Sequence, residues 1–153
     1  MTSSATDLWT SIVDEAARES PLWATAARSA PEQEPVFSPL CDEVFATGVE
    51  TIYEGYLCHY GRPRLFAPAD AELALLLGDY LYAHGLVRIA ATGSVAAVSE
   101  LAELISVCAR LRAEGEDGDG DAWLAAAASL GPRPPDDEAA DRALAAHRAR
   151  TAR

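Results

Sequence analysis

Glu50 and Glu54 are the residues whose type and spacing come closest to metal chemistry. They lie four residues apart in a segment of helical periodicity, so both carboxylates share one helix face. A Mg²⁺ ion that holds a diphosphate needs several carboxylates on such a face. Thr51 and Ile52 lie between the glutamates, where further carboxylates would be required. The pair therefore predicts one weak ion site at most, and a solvated or hydrogen-bonded pair is the simpler interpretation.

A turn and a second short motif follow these glutamates. Gly61-Arg62-Pro63 ends the helix that carries them, and Gly78-Asp79 comes after fourteen intervening residues. The second glycine predicts a close approach of two helices, because it has no Cβ. The aspartate, if buried, needs a partner, which the arginine of the turn or His59 can supply.

Together these motifs resemble the trans-isoprenyl diphosphate synthases, over roughly residues 40–130. In that family a DDxxD motif lies on one helix, an Arg-Gly-Arg-Pro turn follows, and the next helix carries a Gly-Asp pair. The DDxxD position corresponds to residues 50–54, which here read Glu-Thr-Ile-Tyr-Glu. His59 and Tyr60 occupy the places of the family's paired arginines, so Arg62 and Arg64 alone remain near the turn. The second aspartate-rich motif falls outside the matched part.

The resemblance implies a protein that keeps the synthase's helical packing without its metal-diphosphate chemistry. Some synthases are heteromers in which a small subunit without aspartate-rich motifs assists a catalytic partner. We expect that role here: an accessory or regulatory subunit, without catalytic residues, metal or cofactor, that pairs with itself or with a catalytic prenyltransferase. The motif remnants are Glu50, Thr51, Glu54, Arg62, Gly78 and Asp79.

The composition is typical of an all-α protein of one domain. Alanine and leucine dominate, β-branched residues form no alternating runs, and 50% of the 153 residues are hydrophobic. We expect a helical bundle that resembles part of the isoprenoid synthase fold. Residues 1–37 form N-terminal helices and a linker, residues 38–130 the bundle core, and residues 131–153 a Pro-, Arg- and Ala-rich tail, either a loose helix or disordered.

Capping signals predict where individual helices begin. Ser38, followed by proline, starts a helix that Gly61 ends, and Asp121 caps a short helix through residue 130. Ser94 caps another, and Asp136 or its neighbour caps any helix in the tail. The remaining predicted helical ranges are 7–19, 21–30, 69–91 and 95–114.

The helix at 69–91 is apolar nearly all round, which is typical of a helix in a bundle centre or between subunits. We predict that a partner covers it. One alternative is a small isoprenoid-binding protein with Glu50 and Glu54 at the mouth of its cavity. That cavity would be lined by Leu73, Leu77, Tyr80, Leu81 and Leu104. Another is a cytosolic helical interaction protein unrelated to isoprenoids. The interface or pocket candidates are Tyr53, Tyr56, Leu73, Leu77, Tyr80 and Leu81.

Charge and hydropathy exclude some partners. A net charge of -12 disfavours nucleic acid, because phosphates repel an acidic surface. The most apolar segment contains Asp79, His84 and Arg88, which is too polar for a simple membrane span. Residues 1–4 lack the basic, apolar start of a signal peptide, so we expect a cytoplasmic protein.

Cysteines and acidic residues do not form a metal-binding pattern. The acidic run at 114–121 has Ala122 where a calcium loop needs glycine, and Ala128 where it needs glutamate. The cysteines are far apart in apolar helical patterns, so we predict buried free thiols in a reducing compartment. They are Cys41, Cys58 and Cys108.

Overall fold

The structure is a computed structural model that describes residues 5–152, with side chains from Leu8 onward. Within that range the chain is helical, without a named β-strand, which confirms the all-α bundle predicted from the sequence. The helices are α1 (Ala5–Glu19), α2 (Pro21–Ala26), α3 (Ala46–Tyr60), α4 (Ala71–Ala90), α5 (Val95–Ala113), α6 (Asp119–Ser129) and α7 (Asp137–Thr151). Two short 3-10 turns, Ser38–Leu40 and Glu43–Phe45, precede α3.

Helix α3 is the central element of the bundle. Each of its residues from Gly48 to Cys58 is buried. Helix α4 packs along α3 but buries one face only, and Leu75, Leu76 and Val87 remain exposed on the other. Helix α4 is the helix that the sequence predicted to be apolar nearly all round, and it does not lie at the bundle centre. Its alternative position, between subunits, stays a prediction.

Helices α3 and α4 approach each other closely through pairs of glycines. A Cβ atom on Gly55 would lie 2.9 Å from the carbonyl oxygen of Gly78, and one on Gly78 would lie 3.0 Å from that of Gly55. Gly48 and Gly85 repeat this arrangement one heptad away, where a Cβ on Gly48 would lie 3.3 Å from the Gly85 carbonyl oxygen. These distances are too short for a larger side chain, so the close approach predicted for Gly78 is confirmed.

Two apolar clusters flank α3. The first joins α3 to α5, α6 and α7 around Phe37 and Trp123. The second joins α1 and α2 to α4 and to the turn after α3, around Trp9 and Phe66. The cysteines predicted to be buried are free and buried, and burial raises the pKa of the Cys41 thiol to about 12.

The helix predicted to begin at Ser38 begins instead at Ala46. The Ser38 N–H donates to the Glu50 carboxylate at 3.1 Å, and the Asp42 N–H donates to the Leu130 carbonyl at 2.9 Å. Because these tertiary hydrogen bonds hold the backbone, the segment forms 3-10 turns rather than a first helical turn. Helix α2 also ends earlier than predicted, at residue 26.

The C-terminal part is a packed helix rather than a disordered tail. The Asp136 carboxylate caps α7 by accepting from the Ala139 N–H at 2.8 Å, and Asp136 is one of the two predicted caps.

The predicted cap of α6 at Asp121 is wrong, because α6 begins at Asp119, directly after Gly118. Gly118 has φ +124°, which residues with a Cβ rarely adopt. The Ser94 cap of α5 is confirmed.

Candidate functional site

Glu50 and Glu54 share one face of α3, as predicted, but that face is closed to solvent. Both side chains are fully buried, and so is Arg64, which enters from the turn after α3. Its Nη1 lies 2.6 Å from Glu50 Oε1, and its Nε lies 3.0 Å from Glu54 Oε1. We call these three residues the Arg64 cluster. The charge that neutralises the carboxylates is therefore a guanidinium from the same chain.

Backbone groups satisfy the remaining carboxylate oxygens of the Arg64 cluster. Glu50 Oε2 accepts from the Val36 and Ser38 N–H groups, each at 3.1 Å. Glu54 Oε2 accepts from the Leu65 N–H at 2.7 Å. Every oxygen of the two carboxylates thus has a partner, so the cluster ties the linker and the turn to α3 and offers no free ligand to a metal.

Each nitrogen of the Arg64 guanidinium donates at least one hydrogen bond. Its Nη1 also donates to the Glu34 carbonyl at 2.7 Å, and its carbon lies 4.9 Å from the Trp9 ring and 5.1 Å from the Tyr53 ring. Burial acts to lower the pKa of Arg64, but the carboxylates outweigh it and the pKa is raised. Arg64 therefore remains charged, and a buried ion pair of this kind is costly to break from one side.

Two other motif remnants also have partners within the chain. Thr51 is buried, and its hydroxyl donates to the Thr47 carbonyl at 2.6 Å, one helical turn earlier. Arg62 is exposed and donates to carbonyl groups at the end of α7, those of Ala149 and Ala152. These contacts cap the last turn of α7. They turn Arg62 towards α7, whereas Arg64 is enclosed in its own cluster, so the two arginines do not converge on one anion.

Asp79 lies at the surface and not in the buried setting considered from the sequence. Its side chain is 72% exposed, because it projects from the outer face of α4. His59 is its partner, as one of the two predicted candidates, with Nε2 at 3.1 Å from Oδ1. Because Asp79 is largely exposed, its pair with His59 contributes little to stability.

The interface and pocket candidates are used inside the chain. Leu77 and Leu81 are fully buried in the apolar cluster with α1, and Tyr80 stacks on Trp23 with ring centroids 5.9 Å apart. Leu73 is half-buried beside them, while Tyr53 and Tyr56 belong to the core around α3. Leu104 lies in that same core and not with Leu77. The structure thus packs the residues expected to line an isoprenoid cavity into two separate clusters.

A second polar cluster, which sequence reasoning missed, lies beside α7. Arg112 donates to Asp119 Oδ2 from Nε at 2.9 Å and from Nη2 at 2.7 Å. The Tyr56 hydroxyl also donates to this oxygen. These groups border a cleft of about 510 Å³ between the acidic loop, the start of α6 and α7. We call it the α6–α7 cleft; it is lined by residues 115–121 and by Arg112, Leu144, His147, Arg148 and Thr151.

His147 forms the inner wall of the α6–α7 cleft. Its side chain is buried, and Nδ1 lies 2.8 Å from the Tyr53 hydroxyl. Burial lowers the pKa of His147; Asp119 opposes this effect, while Arg112 and Arg148 reinforce it. The imidazole is therefore neutral at neutral pH. The sequence held one signal for this residue, since Ala143, His147 and Arg150 have the spacing of a buried helix face.

Helix α4 carries three large exposed apolar side chains, Leu75, Leu76 and Val87, which is more than any other described helix carries. It is also the one described helix long and apolar enough to cross a membrane, judged by length and composition alone. Arg88 ties it to α1, with Nη2 at 2.9 Å from Glu15 Oε2, and His84 contacts the same carboxylate. Helix α4 is thus packed against α3 and α1 on one side and is uncovered on the other.

Comparisons with protein families, with curated proteins and with solved structures find no match to this chain. The relationship to isoprenyl diphosphate synthases consequently stays a prediction that depends on the two motifs and their spacing. The evidence for the all-α fold comes from the structure alone.

Proposed function

We propose that this chain is a non-catalytic, isoprenyl diphosphate synthase-like accessory protein that pairs with itself or with a catalytic prenyltransferase through the outer face of α4. The observation that carries the proposal is an exposed apolar stripe on that face, which we call the α4 stripe. It consists of Leu75, Leu76, Ala83, Val87 and Ala90.

The α4 stripe has the chemistry of a helix-packing surface. Leu75, Leu76 and Val87 are 50%, 57% and 62% exposed, although they lie on one helix with a well-buried opposite face. Burial of a Leu or Val side chain is worth about 1.5–3 kcal/mol, so covering this row is a substantial driving force for association. Asp79 lies within this row and is exposed, and an apolar surface that contains a polar group of this kind is typical of an interaction surface.

The Arg64 cluster supports the non-catalytic part of the proposal. Synthesis of a prenyl diphosphate needs Mg²⁺ held by carboxylates against the diphosphate. At the corresponding position here, both glutamates are buried and bonded to Arg64 and to backbone N–H groups. Glu50, Glu54 and Arg64 therefore stabilise the fold, and the surface of α4 is the part that associates.

Self-association is tested by replacing Leu76 and Val87 together with arginine. Two guanidiniums on the α4 stripe must be desolvated on pairing, so we expect at least about a tenfold weaker self-association in sedimentation equilibrium, with unchanged helix content by circular dichroism. Val44→Arg is the matched control, because Val44 is 63% exposed but lies outside α4. Equal effects of both variants would contradict the assignment of the surface.

The identity of the partner is tested with an active synthase that has intact DDxxD motifs, encoded in the same genome. If this chain is an accessory subunit, it binds the synthase through the α4 stripe and changes the length or yield of the synthase's product. The double variant Leu76→Arg/Val87→Arg then abolishes both the binding and the change in product. Self-association without any effect on the synthase would instead favour a helical interaction protein unrelated to isoprenoids. A chain that stays monomeric alone and does not bind the synthase would contradict pairing altogether.

A further inference from the structure

The outer face of α4 has a pattern that is symmetric about the middle of the helix. Glu72, Asp79, Ala83 and Ala90 are exposed and, in an α-helix, lie within about 20° of one line along its axis. This central line runs opposite the buried face of α4. Its inner positions, 79 and 83, and its outer positions, 72 and 90, are both centred on Leu81. Such a line matches itself when a second copy of the helix is reversed against it.

Large apolar side chains flank the central line in two pairs. Leu76 and Val87 lie about 40–60° to one side of it, and Leu75 and the half-buried Leu86 lie about as far to the other. The members of each pair are eleven residues apart, and each pair is also centred within about half a residue of Leu81. Each flank therefore has one large side chain in either half of the helix, so a reversed copy brings the two halves of a flank together.

The charges on the central line favour an antiparallel pair of helices over a parallel pair. In a parallel pair in register, Asp79 faces Asp79 of the second copy and Glu72 faces Glu72, and like charges opposite each other at an interface are costly. In an antiparallel pair each acid faces an alanine instead, Ala83 or Ala90. The counter-charge for Asp79 is already supplied by its own chain, since His59 Nε2 lies 3.1 Å from Asp79 Oδ1. The face is thus complementary to its own reverse in both size and charge.

We propose that the α4 stripe binds a second copy of this chain, in a two-fold dimer whose α4 helices pack antiparallel and cross at Leu81. Leu76 of each copy then packs on Val87 of the other, because the two-fold axis brings the same flank of both helices together. Asp79 lies against the small Ala83, which leaves room for the carboxylate. The inference rests on the proposed function, because it names the partner and the geometry of the same surface.

Cross-linking of engineered cysteines at the ends of the central line tests this orientation. Glu72→Cys and Ala90→Cys are made separately in the full chain, and an affinity tag on one of them distinguishes mixed pairs from like pairs by mass. The reagent is a bismaleimide with a reach of about 10 Å, the spacing of packed helices. We expect it to link the mixed pair and neither variant alone, because two copies of one position are about 27 Å apart in the antiparallel dimer. The native cysteines are buried and do not compete for the reagent.

Removal of the charge at the centre of the dimer gives a second readout. Asp79→Ala should lower the dissociation constant of the dimer at least about threefold in sedimentation equilibrium, because pairing partly desolvates the carboxylate. Glu138→Ala is the matched control: it removes the same charge from α7, where the side chain is 83% exposed, and leaves the constant unchanged. Equal effects of the two substitutions would place Asp79 outside the interface and overturn the inference.

The remaining outcomes separate this inference from the proposed function. Linking of like pairs, or no linking of the mixed pair, in a chain whose dimer is still weakened by Leu76→Arg/Val87→Arg overturns the antiparallel geometry and leaves the proposed function standing. A monomeric chain that binds the synthase through the α4 stripe has the same consequence. A monomeric chain that does not bind the synthase overturns both.

Discussion

The Arg64 cluster and the α6–α7 cleft use the same kinds of residues for different ends. Each combines an arginine, acidic side chains and aromatic rings, and Tyr53 joins them. The ring of Tyr53 lies 5.1 Å from the Arg64 guanidinium, and its hydroxyl lies 2.8 Å from His147 Nδ1. In the Arg64 cluster every carboxylate oxygen has a partner from the chain. In the cleft, polar side chains such as Arg112 and His147 border open space.

This difference separates a closed polar site from an open one. A polar group that is buried and satisfied rigidifies the fold, because any movement breaks a hydrogen bond in a low dielectric. Where water reaches a polar group, it can replace a lost partner, so the net contribution of that group's hydrogen bonds to stability is smaller. The Arg64 cluster should accordingly dominate stability, and the cleft should contribute less.

The largest effect is expected from Arg64→Met. This substitution leaves Glu50 and Glu54 buried without a counter-charge, and we expect a loss of about 3–5 kcal/mol in the free energy of unfolding measured with urea. Arg62→Met is the matched control in the same turn. Arg62 is exposed, so its loss costs at most about 1 kcal/mol. Similar losses in the two variants would remove the distinction between a closed cluster and the surface.

Arg112→Met is expected to have an intermediate effect. Asp119 is left without its ion pair but is 14% exposed and borders the cleft, so water can reach it. We expect a loss of about 1–2 kcal/mol in the free energy of unfolding. Arg110→Met is the control on the same helix, where an exposed pair with Glu114 contributes at most about 0.5 kcal/mol. A loss as large as that of Arg64→Met would contradict an open cleft.

Tyr53→Phe tests the link between the two regions. It removes the partner of His147 Nδ1 while keeping the ring that faces Arg64. We expect a loss of about 1 kcal/mol in the free energy of unfolding, together with a change in the His147 ring signals. Tyr60→Phe is the control, because no described hydrogen bond involves its hydroxyl. An unchanged His147 signal in Tyr53→Phe would show that the hydroxyl does not fix the tautomer.

The smallest effect is the dependence of stability on pH that His147 contributes. The pKa of His147 is lowered in the folded chain, whereas in the unfolded chain it is about 6.5. The unfolded state therefore binds more protons between the lowered pKa and about 6.5, and the contribution of His147 to stability falls as pH falls through that window. His147→Gln should have a flatter profile than the wild type in urea unfolding across it. A profile as steep as the wild type's would assign the dependence to other groups.

The sequence predicted the fold better than the candidate sites. Caps and apolar spacing placed α4 and α5 within two residues, because local chemistry sets those boundaries. The lack of a Cβ atom on Gly78 predicted its close approach to another helix, which is α3. The start of α3 was wrong, since Ser38 is held by the distant carboxylate of Glu50 rather than by its own helix.

The partner of the glutamates was the main omission. Arg64 lies fourteen residues after Glu50, and nothing local shows that its side chain turns inward. One signal existed: two glutamates lie on α3, which is otherwise rich in apolar and aromatic residues, and a helix of that composition is buried and its charges need partners. His147 was missed for a different reason. An Ala- and Arg-rich segment gives a weak apolar pattern, so its packing against the core is decided by tertiary contacts.

Hydrogen exchange of the Arg64 Nε–H, followed by NMR in the presence and absence of Mg²⁺, tests the closed carboxylate cluster most directly. If Arg64 neutralises Glu50 and Glu54 inside the fold, its Nε–H exchanges as slowly as the buried amides of α3, and Mg²⁺ changes neither this rate nor the carboxyl signals of the glutamates. Exchange as fast as that of the exposed Arg62 Nε–H, or a saturable shift of the Glu50 and Glu54 carboxyl signals with Mg²⁺, would contradict it.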